Sequence, residues 1–114
     1  MDTPKVLRGI ELRYVLALTL ADQGPMTIRD LIDELSRARF GVNGRPSKTV
    51  SDSLRWEVAL GRVERRDRNL YGPGFIPRST DQRIRSRVAD LREEAMPSDR
   101  TDDWDAIFGE VRGA

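Results

Sequence analysis

Chain-breaking residues set the length of every other element in this sequence. Gln23-Gly24-Pro25, the run FGVNGRP at 40–46, Gly61, Gly72-Pro73-Gly74 and Pro77 cut the chain into short pieces, because Gly favours left-handed backbone and Pro cannot continue a helix. With 114 residues in all, the pieces have room for one core of roughly 80 to 100 residues and a tail. Two full domains do not fit.

Residues 6–22 form the first predicted helix, in which Ile10, Leu12, Val15, Leu16 and Leu20 recur at close to helical spacing. The apolar band is wide, which predicts burial on more than one side. Thr27 is placed to cap a second helix over 28–39, with Asp30 in its first turn. Ile28, Leu31, Ile32, Leu35 and Ala38 share one face of it, and Arg29, Asp30, Asp33, Glu34 and Arg37 lie mostly on the other. Residues 40–46 read as a loop. Ser47 then caps a third helix over 48–60, ended by Gly61, and strands at 62–66 and 69–72 follow, joined by a tight turn near Asp67-Arg68. Ser79 caps a fourth helix over 80–95 whose apolar stripe is only Ile84, Val88, Leu91 and Ala95. Residues 97–103 read as a flexible acidic linker, and WDAIFGEV after it spaces Trp104, Ile107, Phe108 and Val111 as i, i+3, i+4, i+7.

The missing residue types remove whole chemistries. There is no His and no Cys, so a Cys- or His-liganded zinc site, a thiol nucleophile, a Ser-His-Asp triad and a disulfide framework are all excluded. A general acid or base could only be a carboxylate, Lys or Tyr. No two carboxylates are convincingly set in a cleft, so the expectation is a protein that is not an enzyme and takes no cofactor. The charged opening MDTPKVLRGIELRY has no signal-peptide apolar stretch, and no run of about 18 apolar residues could span a membrane. A cytoplasmic protein is expected, nucleoid-associated if it holds DNA.

The net charge of +1 hides an uneven distribution. Residues 1–96 carry 18 basic and 14 acidic side chains, net +4, while 97–114 carry 2 basic and 5 acidic, net −3. Of the 20 basic residues, 18 are Arg, which fits phosphate recognition and a GC-rich genome equally well.

The order helix, short extended piece, helix, helix, hairpin resembles the bacterial winged helix-turn-helix, a three-helix core plus a β-hairpin wing. Thr49-Val50-Ser51-Asp52-Ser53-Leu54-Arg55 followed by Gly61-Arg62-Val63-Glu64-Arg65-Arg66 looks like its recognition helix and first wing strand. The likeness covers roughly residues 10–72. It implies a mainly α fold with a small hairpin, residues 6–78 as the double-stranded DNA-binding domain of a transcriptional regulator, and 79–96 as an additional C-terminal helix. The chain departs from the pattern at Glu57, where an apolar anchor is favoured, and in a longer loop before the third helix.

A helical wheel gives a candidate interface independently of the family. With Val50 at zero, Leu54 falls near 40° and Val58 near 80°, so the packed face is expected there. Lys48, Ser51, Asp52, Arg55 and Ala59 then point outward, and Trp56 is expected to pack. Lys48, Ser51 and Arg55 are candidate base or phosphate readers in a major groove, Asp52 could accept from cytosine, and Arg45 and Thr49 lie at the helix start. Arg65 belongs to the same DNA-binding set, and Arg66, Arg68 and Asn69 form the wing-tip group for phosphates or a minor groove. These cations equally suit a solvated surface paired with Glu57, Glu64 and Asp67.

Two loop-like decoys carry less weight. GVNGRPSKT at 41–49 ends like a phosphate loop but lacks Gly at 42 and 47 and follows a helix. Asp99, Asp102, Asp103 and Asp105 lack the Gly and bidentate Glu of a calcium loop. The thin stripe Ile84, Val88, Leu91 suits either a homodimer seam or packing on the first helix. The segment Trp104, Ile107, Phe108, Val111 could dock on a protein partner, as in an adaptor or antitoxin, or fold back on its own domain, where the acidic tail could compete with DNA.

Overall fold

The structure, a computed structural model, describes residues 3–96. In chain order it contains β1 (Lys5–Leu7), α1 (Ile10–Gln23), β2 (Met26–Thr27), α2 (Ile28–Arg37), β3 (Phe40–Val42), α3 (Pro46–Ala59), β4 (Val63–Asp67), β5 (Leu70–Pro73) and α4 (Arg78–Glu94). Four helices and two small sheets thus make up the described fold. No helix among the described residues is long and apolar enough to cross a membrane.

α1 is the central element. Leu12 and every residue from Tyr14 to Leu20 are buried, as its wide apolar band requires, and the helix packs against α3, α4 and β5. Thr19 sits in this band because its hydroxyl donates to the Val15 carbonyl at 2.7 Å, satisfying its polar atom within the helix. Gly24, at φ 88°, ends the helix with its N–H on the Leu20 carbonyl. α2 opens on a complete capping box: Thr27 Oγ1 accepts from the Asp30 N–H, and the Asp30 carboxylate accepts from the Thr27 N–H.

β2 forms one edge of a three-stranded antiparallel sheet, order β2-β5-β4, with Met26 opposite Tyr71 and Thr27 opposite Leu70. β4 and β5 make the expected hairpin, with an irregularity between Arg65 and Asp67 and a turn in which Asn69 adopts φ 60°. The Asn69 carbonyl accepts from the Ile28 N–H at 3.3 Å, so the hairpin turn is tied to the start of α2.

Three expectations are corrected. Residues 6 and 7 are strand, not helix, and 40–42 are strand, not loop: Lys5–Leu7 runs parallel to Phe40–Val42. The pairing buries Leu7 and Phe40, and Gly9 at φ 54° separates β1 from α1. The third and fourth helices start earlier than expected, at Pro46 and Arg78, with neither Ser47 nor Ser79 as cap; Pro46 at the first position needs no N–H donor there. Finally, Ile84, Val88 and Leu91 are not a seam for a second copy. All three are fully buried in this chain's own core, because the band on α1 is wide enough to need α4 as a cover. Ion pairs from Arg85 to Asp22 at 2.8 Å and from Arg87 to Glu11 at 2.6 Å bracket that contact. The Arg85 pKa is raised, first by its hydrogen bond to Asp22 and next by that to Asp81.

Candidate nucleic-acid interface

α3 is fixed at its start and along one face. Its start is fastened by Thr49 Oγ1, which donates to the Asn43 carbonyl at 2.7 Å. Its buried face is Val50, Leu54 and Glu57, centred about 30° from where Val58 would have put it. Val58 is partly exposed. The acidic residue thus occupies the apolar anchor position, and it does so as a completely buried carboxylate.

Two guanidinium groups make that burial tolerable. Arg62 closes a fork on Glu57, with Nε and one terminal nitrogen each 2.8 Å from a carboxylate oxygen. Arg13 of α1 adds its Nε at 3.0 Å. Both cations are themselves sheltered by rings, Arg62 at 5.8 Å from the Tyr14 centroid and Arg13 at 5.5 Å from that of Trp56. The Arg62 pKa is raised chiefly by the hydrogen bond to Glu57, against desolvation. One carboxylate therefore links α3 to α1 and to the residue that enters the hairpin. Trp56, expected to pack, instead stands largely exposed with Arg13 against it.

The face of α3 opposite this anchor is polar. Lys48, Arg55 and Ala59 are exposed, Ser51 and Asp52 are half-buried, and Lys48 pairs with Asp52 one turn on at 3.0 Å. Arg45, directly before the helix, is exposed, and neither it nor Arg55 has an ion pair among the described residues. On the hairpin Arg65, Arg66, Arg68 and Asn69 are all exposed. Arg66 is not at the tip. Its guanidinium lies back across the hairpin, 3.3 Å from the Pro73 carbonyl and 3.7 Å from Glu64, over Gly72, where a Cβ would come within 2.6 Å of it. Arg68 and Asn69 do form the turn.

A surface groove of about 800 Å³ runs between the starts of α2 and α3 and the hairpin turn, lined by Thr27, Ile28, Arg29, Ile32, Pro46 and Asn69 among others. It brings one cation to the candidate interface that sequence reasoning placed only on the solvent face of α2. Arg29 is exposed there and unpaired among the described residues. The signal was the α2 periodicity, which fixed its outward direction but not its neighbours. The expected docking residues Trp104, Ile107, Phe108 and Val111 lie outside the described residues. No protein-family model, no curated protein and no solved structure matches the chain.

Proposed function

We propose that the chain is a winged helix-turn-helix protein that binds double-stranded DNA, with α3 in the major groove, the hairpin as wing on the backbone, and transcriptional regulation as its role. The observation that carries this reading is the two-faced character of α3. One side is anchored by Val50, Leu54 and Glu57, and the other offers Lys48, Ser51, Asp52 and Arg55 to solvent. A helix fixed so firmly on one side is a rigid support for side chains that must meet base edges.

The antiparallel β2-β5-β4 sheet supports the same reading, since it sets the hairpin beside the start of α2 and leaves Arg65 and Arg68 exposed on it. Arg55, without an ion pair among the described residues, is the candidate for a guanine edge. Arg29, Arg45, Arg65 and Arg68 are candidates for phosphates, which position the protein without reading sequence. Binding, not catalysis, is the work proposed, and no cofactor enters it.

Genomic fragments captured by the full chain at low and at moderate salt, then sequenced, test the proposal. Enrichment of defined sites that survives moderate salt is the expected result. Absence of any salt-dependent DNA capture contradicts it.

A further inference from the structure

The C-terminal end of α3 carries apolar surface that the fold does not use. Trp56 and Leu60, one turn apart, are 61% and 52% exposed, and Phe75 is 74% exposed. The Phe75 N–H bonds to the Gly61 carbonyl at 2.9 Å, which holds it at the same end of the helix. Large apolar side chains gathered in this way on a small domain mark a surface that something covers.

We infer that residues 104–111 of this same chain cover it, with Trp104, Ile107, Phe108 and Val111 against Trp56, Leu60 and Phe75. Three features single out that occupant. The chain continues for 18 residues past Met96, and four of the large apolar side chains in that stretch fall within eight positions at i, i+3, i+4, i+7. The stretch is net −3 with Asp102, Asp103 and Asp105 close to Trp104, while the patch borders Arg55, which has no ion pair among the described residues. The segment also starts on a continuous path of contacts toward the patch. α4 ends beside β1, where Glu94 pairs with Lys5 at 3.0 Å, and β1 leads into α1, whose Arg13 lies over Trp56. Eight residues from Met96 to Trp104 span up to about 28 Å, close to the diameter of a small domain. Tethering also gives the segment an effective concentration on the order of millimolar at the patch, which a free partner must exceed.

The proposal does not depend on DNA binding. It is tested on the full chain, which has no Cys, so Ala106→Cys gives a single site for a nitroxide label and amide peak intensities report its neighbours. The expected result is loss of intensity at Leu60, Gly61 and Phe75, with the peaks restored in the double variant Leu60→Ser, Phe75→Ser, whose exposed side chains leave the core untouched. Loss centred on Lys48, Asp52 and Arg55 and sparing the patch overturns it, as do absence of any loss and loss that the double variant fails to relieve. Loss that arises only between molecules, seen when labelled chain is mixed with isotope-enriched unlabelled chain, also overturns it and points to a second copy.

Discussion

Glu57 is where one residue sets the pose of a whole helix. A buried carboxylate with its partners removed is an uncompensated charge, whereas here its two oxygens accept three hydrogen bonds from Arg13 and Arg62. Glu57→Ala leaves two guanidinium groups facing an apolar gap and is expected to destabilise the fold by about 3–5 kcal/mol, read as a lower urea midpoint with unchanged slope. A change near zero contradicts the clamp. Glu57→Gln retains an acceptor and the shape, so it is expected to lose less. The sequence marked this position only as a departure from an apolar pattern. Its partners lie 44 and 5 residues away in sequence, and no local periodicity carries such distances. The exposure of Trp56 was hidden for the same reason: spacing on a wheel gives a direction, while the Arg13 side chain that lies against the ring comes from another helix.

At the scale of elements, the four helices were legible because each repeats its apolar residues at helical spacing, and α1, α3 and α4 are followed within three residues by Gly or Pro; α2 instead ends at Arg37, with Ala38 as cap and Arg39 at φ 67°. The α2 start was legible to the residue, since Thr27 and Asp30 make a local, self-contained box. Thr27→Ala is expected to cost about 1 kcal/mol, measured by thermal or urea unfolding, and no change at all contradicts the reciprocal bonding. β1 and β3 were not legible. Three residues each, they are strands only because they find one another across the chain, and Val6 happened to fit the helical spacing of α1. The stripe on α4 was read with two outcomes open, and the width of the α1 band decides between them. Ile84→Ala is accordingly expected to destabilise the chain's own fold by about 2–5 kcal/mol. A seam between subunits would instead leave stability intact and alter mass in solution. Gly74 tests the junction of hairpin and α3: a Cβ there would lie 2.4 Å from the Gly61 carbonyl oxygen. Backbone must move to admit it, so Gly74→Ala is expected to shift amide resonances of Gly61, Arg62 and Val63, and an unperturbed spectrum contradicts that packing.

Across the whole molecule, charge is distributed as a mildly basic body and an acidic C-terminal segment. The body offers cations on α2, before and on α3, and on the first strand and the turn of the hairpin, whereas the patch of Trp56, Leu60 and Phe75 lies toward the C-terminal end of α3. An acidic segment seated on that patch sits beside Arg55, so it and DNA would meet on one side of the protein. Neutralising Asp102, Asp103 and Asp105 to Asn is therefore expected to raise DNA affinity several-fold at low salt, with the gain shrinking as salt screens the pair. The most direct test of DNA binding through α3 and the hairpin is the affinity for duplex DNA as a function of salt, compared between the natural chain and the double variant Arg55→Glu, Arg68→Glu. Both side chains are exposed, so the fold is expected to survive the reversal. The predicted result is affinity that falls steeply with salt in the natural chain, and in the variant a loss of at least about 10-fold with a shallower salt slope. Equal affinity and equal slope for the two proteins would contradict the proposed interface.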